Sequence, residues 1–308
     1  MLTIQDRIKP SFGGHEKFAF RDGWLKKGVD AVCEDPLIFS SDDALVVLGV
    51  GKNMVRSIRH WCLATNLFVE GEGRKSPLSL TPMGNQLMTD NAWDPFLEDT
   101  ASLWLLHWQL VSNTTRSFVW HLVFNHFYEA EFSKQSLAAF IQTQLERYSV
   151  STTSRMIERE VDCFLRTYTV SVNTSRSAEE RLDCPLSELD LIRAVPQDNV
   201  YRLNTGPKAT LPVEVFGYGL LTYLRSVAQH RRTVVVDECT YRPGSPGQIF
   251  RLDENSVIEY VESLSVLTKG KLQLQESVGI QQIYIDIDVD QPALFERIAD
   301  SLLESYYA

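Results

Sequence analysis

The chain has 308 residues, of which 44% are hydrophobic and 23% are charged. This ordinary globular balance excludes an intrinsically disordered chain. The chain contains 30 Lys and Arg against 40 Asp and Glu, which gives a formal net charge of −10. That charge excludes a basic coat over the whole protein, so any contact with nucleic acid must come from a local basic patch.

The five cysteines argue against a zinc-binding or disulfide-stabilised class of protein, because none has a partner at close spacing. They are Cys33, Cys62, Cys163, Cys184 and Cys239, and we expect reduced thiols. The N-terminal segment has no apolar core of the signal-peptide type, and no stretch of the sequence reaches the length of a membrane span. We therefore expect a cytoplasmic protein.

The first 90 residues predict an aromatic, charged arm followed by a winged helix. In residues 11–28 the apolar side chains have no regular spacing, which predicts a structured loop that leads into a short helix near Gly23. Polar residues at 40–42 are typical of a helix N-cap. The predicted elements are then a helix at 44–48, a turn at 49–51, a helix at 52–66, strands at 67–70 and 78–81, and a helix at 82–89. Helix, turn, helix and two-stranded ribbon is the order of a winged helix.

The rest of the chain repeats this order of predicted elements, a helix pair followed by a ribbon, without repeating the sequence. Residues 92–128 are too apolar and aromatic for exposed helices and predict a buried central layer. A second helix-turn-helix pattern follows. Its predicted elements are helices at 134–144 and 154–168, a strand at 200–203 and a helix at 211–229. The last third predicts strands at 233–236, 271–277 and 282–287 and helices at 255–267 and 290–306.

We therefore predict a mainly α fold with small β-ribbons, an α+β class, in which several winged-helix-like units surround a central helical layer. The predicted domains are an arm plus winged helix at 1–90, a helical layer with a second winged-helix-like unit at 91–230, and a third such unit at 231–308. The aromatic residues of the central helices are compatible with a homodimer as well as with a monomer.

The helix at 52–66 is the strongest candidate for contact with DNA. Spacing of three and four places its apolar residues on one face, while Ser57 and His60 share the other face with the donors that a recognition helix needs. Those donors are Lys52, Asn53, Arg56 and Arg59, and the ribbon tip adds Arg74 and Lys75. From Lys52 to Lys75 there are five Lys and Arg against two Glu, a local balance of +3. The alternative is a winged helix that contacts proteins, with its charges on a solvated face.

The N-terminal arm is the second candidate. His15 and Glu16 follow a double glycine, and such a pair is able to act as acid and base or to hold a divalent metal. Three basic residues behind them, Arg21, Lys26 and Lys27, offer a grip on phosphate instead. The plainest interpretation is a folded arm with its aromatic side chains docked on the core.

Two further patterns do not predict chemistry. Asp237 and Glu238 follow one predicted strand, and Asp286 and Asp288 lie at the end of another. Neither pair has the spaced D…ExK pattern of metal-dependent nucleases, so both indicate ordinary half-exposed strands. The Gly-Val-Gly-Lys at 49–52 lacks the spacing of a phosphate-binding loop.

The two segments FGGHEKFAFRDGWLKKG and LGVGKNMVRSIRHW resemble an uncharacterised-domain family of bacterial DNA phosphorothioation and defence operons. The similarity continues through LTPMG, FLED, LWLLHW and DCFLRTY, up to about residue 200. The motif residues that carry over are Gly14, His15, Glu16, Arg21, Trp24, Lys26, Gly51, Lys52, Asn53 and Arg59.

The resemblance implies a defence component of the restriction-modification kind that nicks DNA so that sulfur can replace a phosphate oxygen. It also implies partners: a cysteine desulfurase, an ATPase and a sulfurtransferase-like enzyme. In this hypothesis His15 and Glu16 are the catalytic candidates, with Mg²⁺ or Mn²⁺ as cofactor. The alternatives are a non-enzymatic adaptor that docks the machinery on duplex DNA, and a scaffold whose winged helices contact proteins. The chain from Asn91 onward has 19 Lys and Arg against 29 Asp and Glu, which suits a partner-facing surface.

Overall fold

The computed structural model describes residues 9–73, 76–170, 184–195, 199–228, 230–277 and 279–308. Within these ranges the fold is mixed α+β, with thirteen α-helices and three small antiparallel sheets. The predicted α+β class is therefore confirmed. No helix of the described ranges combines the length and the apolar character that crossing a membrane requires.

Contacts between residues divide the chain into two compact units. Unit 1 comprises Met1–Val123 and Phe127–Leu203, and unit 2 comprises Phe124–His126 and Asn204–Ala308. The predicted division into domains at 1–90, 91–230 and 231–308 stays a prediction.

Unit 1 begins with the helices and the ribbon expected for the first 90 residues. Its elements are α1 (Trp24–Glu34), α2 (Ala44–Leu48), α3 (Lys52–Ala64), β1 (Phe68–Glu70), β2 (Leu78–Leu80) and α4 (Pro82–Met88). The ribbon is antiparallel and pairs Phe68 with Leu80. From α2 to α4 the ends agree with the predicted ends within two residues, because glycines and N-caps mark most of them.

The start of α4 fits closely over the chain that enters β1. Thr81 is the N-cap of α4, and its hydroxyl accepts a hydrogen bond from the Gly84 amide at 2.9 Å. The Thr81 amide donates to the Leu67 carbonyl at 3.0 Å. A Cβ on Gly84 would lie 2.2 Å from that carbonyl oxygen, so glycine is required for the close approach of helix and strand.

The core of unit 1 is built from two helices that are apolar around most of their circumference, α5 (Thr100–Ser112) and α6 (Phe118–His126), of which the part up to Val123 belongs to this unit. Every residue of α5 from Ala101 to Val111 is buried, as expected of a helix without a polar face. Trp61 from α3 meets Trp120 from α6 edge to face, with ring centroids 5.5 Å apart and both side chains fully buried. The central helices thus hold the inner face of α3.

The second half of unit 1 contains β3 (Glu131–Ser133), α7 (Lys134–Arg147), α8 (Ser154–Tyr168), β4 (Ile192–Val195) and β5 (Val200–Leu203). The three strands form a sheet in the order β3-β5-β4. β3 was not predicted, because it has three residues and passes directly into α7 without a turn. A reciprocal capping box between Ser133 and Ser136 marks that junction.

Unit 2 follows the same scheme with more helices. Its elements are α9 (Val213–Val227), β6 (Thr233–Val235), α10 (Val236–Tyr241), α11 (Pro246–Phe250), α12 (Glu254–Leu267), β7 (Leu272–Ser277), β8 (Ile280–Ile285) and α13 (Pro292–Tyr307). The strand order β6-β8-β7 matches that of the second sheet of unit 1. In both sheets the first strand along the chain is followed by helices and then by two more strands. The last of these strands lies in the middle of the sheet, between the other two.

The acidic pairs noted in the sequence do not lie within strands. β6 ends at Val235, and Asp237 and Glu238 lie in the first turn of α10, where the helix dipole favours carboxylates. β8 ends at Ile285, before Asp286 and Asp288. The expectation of half-exposed strand carboxylates is therefore wrong, since these residues lie in a helix or beyond a strand end.

The contact at Gly84 yields a test of the fold. We expect Gly84→Ala to lower the free energy of unfolding by about 1–3 kcal/mol, because the new methyl group overlaps the Leu67 carbonyl. Gly51→Ala is the matched control, since a Cβ there meets no atom within 4 Å. Urea unfolding followed by tryptophan fluorescence measures both. Equal stability of the two variants would contradict the close approach of α4 to β1.

Candidate nucleic-acid interface

The outer face of α3 displays the first part of the predicted donor set. Lys52, Asn53 and Arg56 are exposed, while Val55, Ile58 and Trp61 are buried on the opposite face. The helix begins after Gly51, which contributes no side-chain cap to the first turn. Amide groups at such a helix end point outward and favour anions.

Arg56 is exposed but is not unpaired. Its guanidinium lies 3.3 Å from a carboxylate oxygen of Glu16, and its side chain is 56% exposed. An ion pair this open to water contributes about 1 kcal/mol or less. A stronger anion is therefore able to displace Glu16 at low cost.

Arg59 belongs to a three-member charge cluster at the base of the ribbon. One oxygen of the Glu70 carboxylate contacts Arg59, and the other contacts Arg116 from the turn between α5 and α6. Burial raises the pKa of Glu70, but the two guanidinium groups outweigh burial and hold the pKa below its ordinary value. Glu70 is thus a carboxylate at neutral pH.

The basic residues of the arm and α1 have different surroundings. Lys26 is 8% exposed, and its ammonium group pairs with Asp30 and, at 2.7 Å, with Asp90. Burial lowers the pKa of Lys26, but these carboxylates outweigh burial and raise it. The structure thus places Lys26 inside an ion-pair cluster, and its assignment as a DNA contact stays a prediction.

Arg21 and Lys27 remain near the surface. The Arg21 guanidinium lies over the rings of Phe18 and Trp24, 5.6 and 5.4 Å from their centroids. Lys27 is exposed, and its ammonium group approaches the Leu48 carbonyl at the end of α2, 3.4 Å away. Arg74 and Lys75 lie outside the described residues.

The arm covers part of α3 that the sequence had placed on the polar face. The Ser57 hydroxyl donates to the His15 carbonyl at 2.9 Å, and the Trp61 indole donates to the Phe18 carbonyl at 2.9 Å. A Cβ on Gly14 would lie 2.4 Å from the His60 ring. Ser57 and His60 are consequently buried beneath the arm, which corrects their predicted exposure.

His15 anchors the arm in the core. It is 1% exposed, and its Nε2 lies 3.1 Å from a carboxylate oxygen of Glu160 on α8, off the line of a hydrogen bond. The same oxygen accepts the Gly13 amide at 2.6 Å. The Lys17 amide donates to His15 Nδ1 at 3.1 Å, and Nε2 faces Glu160.

The predicted catalytic pair therefore points in two directions. His15 is enclosed by protein, whereas Glu16 reaches the outer face of α3 through its contact with Arg56. Glu16 and Lys17 have left-handed backbone angles, φ 49° and 70°, which turn the chain between the two side chains. In this arrangement DNA does not reach His15, and the assignment of His15 and Glu16 as catalytic residues stays a prediction.

The described residues contain no group of three or more His, Cys, Asp or Glu side chains arranged to hold a metal ion. The assignment of Mg²⁺ or Mn²⁺ as cofactor stays a prediction. The five cysteines, all of which lie in the described ranges, form no disulfide, and Cys33 is exposed.

Three residues of the site were missed by sequence reasoning. Glu160 had a signal, since it interrupts the apolar face of α8 between Ile157 and Phe164. Arg116 and Glu70 had none, because the three residues of their cluster come from α3, β1 and the α5–α6 turn.

The chain matches the family described as a protein of unknown function, DUF4007, over residues 12–307. It therefore belongs to this family, and the resemblance to an uncharacterised-domain family is confirmed.

Two crystal structures are closely similar to the chain. One, described as magnesium ion-bound SspB, has 30% sequence identity and a TM-score of 0.86. The other, described as SspB, has 29% identity and a TM-score of 0.85. Each comparison covers 96% of this chain and 88% of the SspB chain. A search of curated proteins found no match.

The burial of His60 yields a pH-dependent test. Burial lowers the pKa of His60 from 6.5 to about 3, and the nearby positive charges act in the same direction. Between these values the unfolded chain binds a proton at His60 that the folded chain does not bind. The free energy of unfolding therefore falls as the pH drops from 6.5 toward 3, by up to about 1.4 kcal/mol per pH unit from this residue.

We expect His60→Gln to remove this part of the slope in urea unfolding between about pH 5 and 6.5, whatever its effect at neutral pH. His230→Gln is the control, because the His230 side chain is 83% exposed. A slope unchanged in His60→Gln would show that His60 is accessible to protons in the folded protein.

Proposed function

We propose that this protein binds duplex DNA through α3 and the β1–β2 ribbon, as a component of a bacterial DNA phosphorothioation system. Two observations support the proposal: the exposed donors Lys52, Asn53 and Arg56 at the start of α3, and the similarity to SspB over nearly the whole chain. The system and its other members, a cysteine desulfurase, an ATPase and a sulfurtransferase-like enzyme, are those implied by the resemblance.

In this proposal α2, α3 and the β1–β2 ribbon act as a winged helix. The other two sheets have the strand orders β3-β5-β4 and β6-β8-β7, and helices lie between β3 and β4 and between β6 and β7 along the chain. Both arrangements are consistent with two further units of this kind. A recognition helix presents the side chains of its first turns to base edges and phosphates. The exposed donors of α3 lie in those turns.

The distribution of charge supports orientation on a polyanion. The segment from Lys52 to Lys75 has a balance of +3, while the sequence from Asn91 onward has 19 basic against 29 acidic residues, a balance of −10. The phosphate backbone attracts the first region and repels the second. The remaining acidic surface is then available to partner proteins.

Removing the two exposed cations of α3 tests the binding proposal. We expect Lys52→Gln with Arg56→Gln to weaken duplex binding and to make the slope of log K against log salt shallower by about 0.9 per lost phosphate contact. The matched control removes two exposed cations from α7, Lys134→Gln with Arg147→Gln. Fluorescence anisotropy over a KCl series measures both. Equal losses in the two variants would show that the effect is one of net charge.

The enzymatic part of the proposal is DNA nicking, with a non-enzymatic adaptor as the alternative. The resemblance implies nicking, and one similar structure is of SspB with magnesium bound. The adaptor is favoured by the burial of His15, whose side chain is enclosed by protein.

A plasmid assay separates these alternatives. If the protein nicks DNA, supercoiled plasmid becomes open circular in Mg²⁺ or Mn²⁺, and EDTA prevents the change. We expect Lys52→Gln with Arg56→Gln to slow that conversion, since binding precedes cleavage. Plasmid that stays supercoiled at protein concentrations that saturate binding would establish the adaptor and overturn nicking by this chain alone.

A further inference from the structure

The Glu70 carboxylate occupies a position between two arginines that come from separate elements. Arg59 lies on α3 and Arg116 in the α5–α6 turn, and each contacts a different oxygen of Glu70. The three side chains are between 25% and 33% exposed, so the cluster is open to solvent on one side. Two guanidinium groups against one carboxylate leave a net positive charge.

Asn113 fixes the distance between the two arginines. Its amide nitrogen donates to the carbonyls of Leu63 and Ala64 at the end of α3, both at 3.2 Å. Its side-chain oxygen accepts the backbone amides of Thr115 and Arg116, at 3.1 and 2.9 Å. One side chain thus ties the turn that bears Arg116 to the helix that bears Arg59, so the spacing of the two backbone segments does not depend on Glu70.

A phosphate is the natural competitor for this position. Guanidinium groups bind carboxylate and phosphate oxygens with the same planar fork, and a phosphodiester presents two anionic oxygens as a carboxylate does. Arg59 is one turn beyond Arg56 on the half-exposed edge of α3. A DNA backbone lying along the outer face of α3 would therefore reach the open side of the cluster.

We propose that Arg59 and Arg116 form a two-arginine fork for a DNA backbone phosphate, and that Glu70 occupies this fork when DNA is absent. The inference rests on the proposed DNA binding and extends it, because it assigns a phosphate contact to Arg116 and a competing role to Glu70. Glu70 then limits non-specific attraction to polyanions, since each phosphate must displace a carboxylate that is already in place.

The test replaces Glu70 by the neutral isostere, Glu70→Gln. We expect tighter binding of duplex DNA than in the wild type and a steeper salt dependence, by up to about 0.9 in the slope of log K against log salt for the one phosphate that the fork contacts. Glu72→Gln is the matched control, because it removes the same charge from an exposed position two residues away. We expect the control to change the slope by much less.

A double variant assigns the effect to the fork. In Glu70→Gln combined with Arg116→Gln we expect the affinity for DNA to return toward the wild-type value. We expect Arg116→Gln alone to have a small effect on the affinity, because Glu70 still pairs with Arg59. Thermal unfolding of each variant is the measurement that checks whether the protein remains folded.

The outcomes separate this inference from the proposed function. Wild-type protein that binds DNA, with Glu70→Gln and Glu72→Gln indistinguishable, would overturn the fork and leave the binding by Lys52 and Arg56 intact. Tighter binding by Glu70→Gln that persists in the double variant would overturn the role of Arg116. No binding by wild type or by Glu70→Gln at low salt would overturn both proposals.

Discussion

The burial of Trp61 determines which face of α3 is available for binding. Its indole ring is fully enclosed, meets Trp120 edge to face, and donates a hydrogen bond to the Phe18 carbonyl of the arm. Rotating α3 about its axis would expose an aromatic side chain and leave the half-buried Phe18 carbonyl without its donor, and both changes are costly. The outward direction of Lys52 and Arg56 is therefore a consequence of packing on the opposite side of the same helix.

Carboxylates balance the cations that this packing brings to the surface. Glu16 approaches Arg56, and Glu70 bridges Arg59 and Arg116. Without these partners, positive side chains on one helix edge would repel each other and reduce stability. Such partially exposed pairs are weak and exchange readily with stronger anions. A surface of this kind is stable in the absence of a polyanion, and the proposed DNA binding would exchange these carboxylates for phosphates.

Local pattern predicted the elements well, and it failed where contacts are distant or elements are very short. Spacing of apolar residues and glycine turns were sufficient for α3 and the ribbon, because both depend on neighbouring residues. β3, β4, α10 and α11 were missed, since elements this short show no clear period and a strand that passes directly into a helix has no turn signal. The ion pair of Lys26 was not foreseen either, although Asp30 lies one helical turn away, which is a local signal for such a pair.

The site was less predictable than the fold, because its main contacts join residues far apart in sequence. Glu160 meets Gly13 and His15, and Arg116 meets Glu70. The sequence gives no means to foresee that His15 faces the core while the adjacent Glu16 faces α3. That division depends on the left-handed backbone at Glu16, which a charged residue adopts at some cost in conformational energy.

This division links the buried and exposed parts of the arm. Because His15 and Gly13 are held at Glu160, the short turn between Gly13 and Phe18 has little freedom, and Glu16 is kept beside Arg56. Two adjacent motif residues thus have complementary structural roles, one as an anchor and one as the partner of an exposed arginine. The anchoring also accounts for the second glycine of the pair. Only a residue without a Cβ at position 14 allows the arm to lie against the His60 ring.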